Sequence, residues 1–287
     1  MDLSRRRSTV VTLLLCAISR AAPLAAQQPP NGAGNSSTRP ESQAAPIQDN
    51  SFLIEEAYNQ EAGVVQHIST FARDAGSRAW AYTFTQEWPV FSQQHQLSYT
   101  IPVISNGPGQ GSGLGDIAIH YRYQLANGKR SAIFVAPRIS LIVPSGNDRK
   151  DRGAGAAGVQ VNLPISIEHS AYFVTHWNAG ATLTPSARNA AGDKATTRNY
   201  NLGASAIWLP LSRLNAMLEL VWSRNELVSG PDRRVGEDSF FLSPGVRGAF
   251  NFASGLQIVP GFAVPIGIGA SDGEHSVFFY LSFEHPF

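Results

Sequence analysis

The stretch GDIAIHYRYQLA, residues 115–126, alternates between apolar and polar side chains along its whole length. Successive side chains of a β-strand point to opposite faces of the sheet. The stretch therefore predicts a strand with one apolar face and one polar face. The apolar positions are Ile117, Ile119, Tyr121, Tyr123 and Leu125, and the opposite face carries Asp116, Ala118, His120, Arg122 and Gln124.

The same alternation recurs along most of the chain, for example in VQVNLPISIE (159–168) and LNAMLELVWS (214–223). No comparable helical period of 3.6 residues is found in residues 64–287. We therefore predict an all-β protein with twelve strands. Their expected positions are 64–72, 78–88, 94–104, 115–126, 131–143, 157–168, 171–183, 197–209, 213–225, 239–251, 255–266 and 275–287.

The segments between these strands differ in length in a regular way. Those after even-numbered strands are short, whereas most of those after odd-numbered strands are long and polar, such as 144–156, 184–196 and 225–238. Short turns at one end and long loops at the other are typical of bacterial outer-membrane barrels. The sequence therefore predicts a closed, antiparallel, up-and-down transmembrane β-barrel of about 12 strands, formed by residues 64–287.

The first 63 residues are expected to lie outside this barrel wall. Arg5, Arg6 and Arg7 precede a short apolar run and small residues, so we predict a Sec-type signal peptide over residues 1–26, cleaved near Ala26. The polar, Pro-rich residues 27–50 are expected to form a disordered linker. Residues 51–63 form a short N-terminal segment that is a possible plug. The predicted location is the bacterial outer membrane.

Composition excludes several classes of function. The only cysteine, Cys16, lies in the predicted signal peptide, and the seven histidines show no metal-binding spacing. Residues 1–26 contain four Arg and one Asp, so their removal leaves 18 basic and 20 acidic residues. We therefore predict no nucleic-acid partner, no metal, no cofactor and no catalytic residues.

The chain ends in the alternating aromatic stretch SVFFYLSFEHPF, residues 276–287. A last strand of this kind resembles the signal by which the barrel-assembly machinery recognises outer-membrane proteins. We expect this machinery to be a partner, with Phe279, Leu281, Phe283 and Phe287 as the signal. Outer-membrane lipid and lipopolysaccharide are further expected partners.

The polar faces of the strands are expected to line the pore. The lining predicted in this way mixes charged, polar and aromatic side chains, which suits a small hydrophobic or aromatic solute. The predicted pore-lining residues are His120, Arg122, Arg138, Glu168, His176, Asn178, Glu219, Arg247, Phe134, Tyr172 and Tyr280.

Four blocks of the sequence resemble one family. They are FLIEEAYNQEAGVVQHI (52–68), WAYTFTQEWPV (80–90), HQLSYTIPV (95–103) and GLGDIAIHYRYQL (113–125). They resemble the outer-membrane transporter family labelled as the meta-pathway of phenol degradation. The resemblance implies an outer-membrane β-barrel that admits hydrophobic or aromatic compounds, and it implies no catalytic residues.

Three functions remain open at this point. The first is a channel that passively admits small hydrophobic or aromatic compounds, and the second is a structural barrel with a blocked lumen. The third is a lipid-acting hydrolase on the barrel wall, for which His169, Ser170 and His176 are the candidate residues. The loop NDRKDR (147–152) could bind lipopolysaccharide phosphates, but its two Asp residues favour a solvated loop.

Overall fold

A computed structural model describes residues 50–128 and 131–286. Within these residues the chain forms twelve strands, some of them interrupted. Their bounds are β1 (Val64–Asp74), β2 (Trp80–Val90), β3 (Ser92–Ser105), β4 (Ser112–Leu114, Ile117–Tyr123 and Ala126–Asn127), β5 (Ile133–Val135 and Arg138–Val143), β6 (Gly158–Ser170), β7 (Phe173–Arg188), β8 (Lys194–Leu211), β9 (Leu214–Gly230), β10 (Arg233–Gly248 and Phe250–Asn251), β11 (Gln257–Ala263 and Ile266–Gly267) and β12 (Ser276–Pro286).

The strands form one antiparallel sheet that closes on itself. Each strand pairs with its neighbours in sequence, and β1 pairs with β12 without interruption from Val64↔Pro286 to Asp74↔Ser276. Closure gives the first and last strands of the sheet a hydrogen-bonding partner, so the barrel has no open edge between β1 and β12. The prediction of a closed, antiparallel, twelve-strand barrel is confirmed.

The barrel has two different ends. We call the end that holds Val64 and Pro286 the base, and the opposite end the rim. At the base the connections are short, down to the single residue Phe91 between β2 and β3. The longest connection, residues 144–157, lies at the rim.

Two predicted rim loops are largely strand, which corrects the sequence interpretation. Residues 225–238 continue the β9–β10 hairpin up to a two-residue turn at 231–232, and residues 184–196 shrink to a five-residue connection, 189–193. The charged residues that suggested a loop form ion pairs across the hairpin instead: Arg234 pairs with Glu226, and Asp238 pairs with Arg224 of the predicted strand. At about 3.3 Å per residue and a tilt of about 40°, the 17 residues of β9 rise roughly 40 Å.

The outer surface of the barrel is apolar and the inner surface is mixed. Outward side chains include several large hydrophobic residues that are at least 38% exposed: Ile119, Leu141, Val161, Trp177, Leu202, Leu218, Leu220 and Phe279. The residues beside them in each strand point inward; they include polar residues such as Gln160, Asn178 and Glu219, and apolar residues such as Val221 and Phe278. This arrangement is typical of a barrel whose outer wall faces lipid.

Several predictions fall outside the described residues. The signal peptide (1–26) and the linker (27–50, apart from Asn50) cannot be compared with the structure, and neither can Phe287. In the described ranges, no helix is long and apolar enough to cross a membrane.

The outward-facing hydrophobic residues form an apolar belt around the barrel. We expect the cost of a charged substitution on the outer face to depend on its position relative to this belt. Leu220 of β9 faces outward near the middle of the belt, and Val228 lies on the same face of the same strand, on the extension above the belt. In a lipid bilayer, Leu220→Arg should lower the free energy of unfolding by about 2–4 kcal/mol, and Val228→Arg by no more than about 1 kcal/mol. Urea unfolding of the two variants in vesicles measures both values. Equal costs would contradict this position of the belt.

Candidate functional site: the lumen and the segment inside it

An extended segment, residues 50–60, lies inside the barrel. None of these eleven residues is more than 7% exposed, although they form no regular secondary structure. A buried backbone outside a sheet needs other hydrogen-bonding partners. We call residues 50–60 the luminal segment.

Wall side chains supply the partners of the luminal segment's backbone. One carboxylate oxygen, Glu219 Oε1, accepts hydrogen bonds from the backbone N–H groups of Phe52, Leu53 and Ile54, at 3.0, 2.6 and 3.0 Å. Further along, Asn178 accepts from the N–H of Glu55 and donates to its carbonyl. In the same way Ser166, Gln124 and Gln96 accept from residues 57, 59 and 60. The inner polar face thus takes over the role of a neighbouring strand.

Glu55 joins the luminal segment to the wall through buried ion pairs. Its carboxylate lies 3.0 Å from Arg138 Nε and 3.4 Å from Arg122 Nη1, and all three side chains are at most 3% exposed. Asn162 Nδ2 donates to the same carboxylate at 2.6 Å. Breaking a buried ion pair by removing one partner leaves an uncompensated charge and costs about 3–5 kcal/mol.

Arg122 also binds the carbonyl side of the luminal segment. Its guanidinium donates to the carbonyl oxygens of Glu56 and Tyr58, and its Nε donates to Asn59 Oδ1 at 2.9 Å. A planar guanidinium with five donors can hold several acceptors at once. Arg122 therefore fixes the second half of the segment as Glu219 fixes the first half.

The first half of the segment also fills an apolar region of the lumen. The Phe52 ring lies 5.4 Å from the rings of both Phe278 and Tyr280. Two wall glycines lie against it: a Cβ atom added at Gly245 or Gly261 would come within 2.8 or 2.5 Å of the Phe52 ring. At Gly203 an added Cβ would overlap Ile54 Cδ1. These three glycines, each on a different strand, thus leave room for the segment because they have no side chain.

The luminal segment crosses the half of the barrel nearer the base. Its wall partners Asn178 and Glu219 are each the sixth residue from the base end of their strands. Glu61, Ala62 and Gly63 connect it to β1, and partial burial raises the pKa of the Glu61 carboxyl. Taken together, the partners of the segment come from every strand between β3 and β12: Gln96, Arg122, Arg138, Asn162, Asn178, Ser205, Glu219, Gly245, Gly261 and Tyr280.

The structure brings most of the predicted pore-lining residues together on the inner face. These buried residues are His120, Arg122, Arg138, His176, Asn178, Glu219, Arg247, Phe134 and Tyr280. Most of them touch the luminal segment or each other; for example, Phe134 packs edge-on against Tyr58, and Arg247 lies over the Tyr280 ring. That they line an open pore stays a prediction.

One of the predicted lining residues lies elsewhere. Tyr172 is 65% exposed in the two-residue turn between β6 and β7, so it is not part of the buried inner face. The strand begins two residues later than predicted, at Phe173, and this difference moves Tyr172 from the wall to the turn. Glu168 is half-buried near the base end of β6, on the same face as Ser166.

Three of the proposed assembly-signal residues, Phe279, Leu281 and Phe283, face outward on β12. Phe279 is 49% exposed, and Leu281 and Phe283 are partly exposed beside it. Phe71 and Phe262 flank Phe279 on the neighbouring strands, with ring centroids 6.5 and 5.3 Å away. Their recognition by the assembly machinery stays a prediction.

The candidate hydrolase residues do not converge. His169 Nε2 bonds to Thr175 Oγ1, whereas Ser170 accepts from the backbone of Tyr172. His176 points into the lumen, where its Nδ1 lies 2.7 Å from Ser166 Oγ. Among the described residues there is also no group of three or more side chains placed to hold a metal ion.

Sequence reasoning missed the partners that hold the segment. Gln96, Gln124 and Asn162 were not among the named pore-lining residues, and Glu55 was predicted only as part of the possible plug. The role of the wall glycines was not expected. The available signal was the inner-face alternation: it puts two arginines, 122 and 138, inside the barrel, where each requires an acidic partner. The segment sequence FLIEEAYNQ carries two candidates for that partner, Glu55 and Glu56.

Solved structures share this fold. The barrel is similar to an outer-membrane channel from Pseudomonas putida F1, with a TM-score of 0.60, 11% sequence identity, and coverage of 80% of this chain and 98% of that chain. It is also similar to the NanC porin, with a TM-score of 0.51, 6% identity, and coverage of 77% and 100%. At these identities the similarity establishes the barrel fold alone. No family model matches the chain, and no curated protein matches it in sequence.

The neighbouring residues Glu55 and Glu56 provide a matched test of the segment's attachment. Glu55→Gln removes the charge that pairs with Arg122 and Arg138, so it should expose residues 50–60 to protease. Glu56 is equally buried, but its Oε1 has no hydrogen-bond partner among the described residues, so Glu56→Gln should leave the protection unchanged. Limited proteolysis of the two refolded variants measures this. Equal protection in both would contradict the role of the ion pairs.

Proposed function

We propose that the chain is an outer-membrane protein that acts as a passive channel, and that the luminal segment sets access to its lumen. The apolar outer belt of a closed barrel supports the membrane location. The shorter connections at the base support an orientation in which the base faces the periplasm. Solute would enter at the rim and diffuse down its gradient, without an energy source.

The observation that carries this proposal is the way the luminal segment is held. It is joined to the wall by side chains and not by a β-ladder, so it can leave without breaking any strand pairing. Its connection to β1 contains Gly63, whose φ of +78° is readily adopted by glycine. The segment therefore has the properties of a removable constriction.

The apolar half of the lumen supports the proposed solute class. Phe52 places an aromatic ring among Phe278, Tyr280 and two glycines, where a small aromatic compound would find the same apolar contacts once the segment leaves. Polar residues surround this region and could bind a hydroxyl or carboxylate group. Small hydrophobic or aromatic compounds are therefore the proposed solutes, in keeping with the family resemblance.

A barrel with a permanently blocked lumen is the second candidate. The burial of Glu55 between Arg122 and Arg138 favours it, because leaving this site separates three charges. The two candidates differ in whether the segment leaves the lumen. An engineered disulfide between the segment and the wall can prevent this movement.

The first prediction for this function concerns conductance. Ser51 Oγ and Ser205 Oγ are 2.5 Å apart, and the chain beyond Cys16 has no cysteine, so Ser51→Cys with Ser205→Cys should form a disulfide that locks the segment. In a planar bilayer, the protein lacking residues 27–63 should show steady current steps. The oxidised double-cysteine protein should be silent, and a reducing agent should restore the wild-type level.

The controls separate the candidates. Silence of the truncated protein, shown to be folded by its gel migration before and after heating, would overturn the channel. Wild-type current in the oxidised double-cysteine protein would show that passage does not need the segment to move. As an independent route, Gly203→Ala with Gly261→Ala should displace the segment and raise the current. Gly248→Ala, where an added Cβ has space, should not.

A second prediction concerns the aromatic site. Phe52→Ala should leave a space beside Phe278 and Tyr280, and an apolar space of this kind binds small aromatic compounds. Millimolar phenol should therefore raise the thermal unfolding temperature of Phe52→Ala, because binding stabilises the folded state. It should not do so for Leu53→Ala, which truncates the neighbouring side chain. An equal response in both variants would contradict this solute site.

A further inference from the structure

We propose that a cavity on the outer wall, at the rim of β1 to β4, binds the phosphate groups of the glycolipid that forms the outer leaflet, lipopolysaccharide. The cavity measures about 490 Å³. Its lining comprises Phe71, Arg73, Arg78, Trp80, Ser105, Gly107, Pro108, Gly109, Gly111 and Ser112. This inference rests on the membrane location proposed above, but not on the lumen's being a channel.

The cavity faces outward. Ala72 and Ala81, the neighbours of Phe71 and Trp80, are buried on the inner face, so the two aromatic rings point to the outside. A molecule in this cavity would therefore lie beside the barrel, where lipid is expected, and not in the lumen.

Two loops hold the cavity in shape. Asp74 accepts hydrogen bonds from the backbone N–H and the hydroxyl of Ser77, which fixes the connection between β1 and β2. An added Cβ at Gly107 would come within 2.8 Å of the Ser77 carbonyl oxygen, so the connection between β3 and β4 lies directly against it. Glycine at 107, with a φ of +115°, permits this close approach.

The charge of the cavity selects an anion. The lining contains two arginines and no acidic residue. The side chains of Arg73 and Arg78 are exposed, and neither side chain forms a hydrogen bond or an ion pair within the ranges 50–128 and 131–286. Guanidinium groups bind phosphate in a bidentate manner, which makes arginine well suited to phosphate recognition.

The apolar part of the cavity selects an amphiphile and not a free anion. The Phe71 and Trp80 ring centroids are 5.9 Å apart. Phe71 lies two residues nearer the base than Arg73. On the neighbouring strands, Phe279 pairs with Phe71 and Phe262 pairs with Phe279, so these rings extend the aromatic row around the wall. Acyl chains would pack along this aromatic row, while the phosphates reach the arginines at the rim. A phosphorylated glycolipid supplies both parts in the required order.

The structure disfavours the basic loop 147–152 for this role. Arg152 is only 6% exposed, and its Nη2 donates to the Gln110 carbonyl oxygen at 2.6 Å. Arg149 and Lys150 remain exposed, but they lie beside Asp148 and Asp151 in the sequence. They therefore provide a charge-matched control on a neighbouring loop.

The test measures lipopolysaccharide bound to the full-length mature protein in detergent by native mass spectrometry. Wild type should retain lipopolysaccharide, and Arg73→Ala with Arg78→Ala should bind it at least about tenfold more weakly, because two charge-assisted contacts are lost. Arg149→Ala with Lys150→Ala should stay within about twofold of wild type. Equal weakening by both pairs would reveal only a general charge effect and overturn the site.

The source of the phosphate is tested separately. Lipopolysaccharide stripped of its phosphates should bind wild type as weakly as the Arg73, Arg78 variant binds the intact form. The assignment to the glycolipid would be overturned if millimolar inorganic phosphate displaced lipopolysaccharide. It would also be overturned if phosphatidylglycerol bound as strongly as lipopolysaccharide. The conductance of the Arg73, Arg78 variant should match wild type, so loss of lipid binding is distinguishable from failure of the channel.

Discussion

Every backbone N–H and C=O group shielded from water needs a partner, and this one constraint shapes both parts of the molecule. In the wall, the pairing of neighbouring strands and the closure of β12 onto β1 supply these partners. Inside the wall no strand is left to pair with, so the luminal segment is satisfied by side chains such as Glu219, Asn178 and Arg122. The polar lining of the barrel is thus explained by the segment's backbone as much as by any solute.

The wall could be predicted from the sequence because its signal is local. Alternation with a period of two shows in each strand separately, as in residues 115–126, and it also assigns Arg122 and Arg138 to the inside. The contents of the lumen could not be predicted in the same way. The N–H of Leu53 meets Glu219 across 166 positions of the chain, and no local pattern pairs them. The prediction of a loop at 225–238 was wrong for a related reason. Its charged residues pair with residues of the neighbouring strand, and the local sequence does not show this pairing.

The charges that hold the luminal segment also determine what its departure would leave behind. With the segment in place, Glu55 balances Arg122 and Arg138 in a space that excludes water. Without it, the two arginines would face a hydrated lumen, where water replaces the lost carboxylate and the penalty for an unpaired charge falls. An emptied lumen would therefore be more positive at this level than the lumen that holds the segment.

The glycines at 203, 245 and 261 have a consequence for the evolution of the chain. They come from three different strands, none has a positive φ, and what an added Cβ meets at each includes Phe52 or Ile54. Their small size is therefore a property of the segment and not of the strands in which they occur. In a lineage that replaced Phe52 by a smaller residue, positions 245 and 261 would lose their clash with its ring, whereas position 203 would still face Ile54. The segment and its three glycines thus form one unit of inheritance, although they are spread over some two hundred residues.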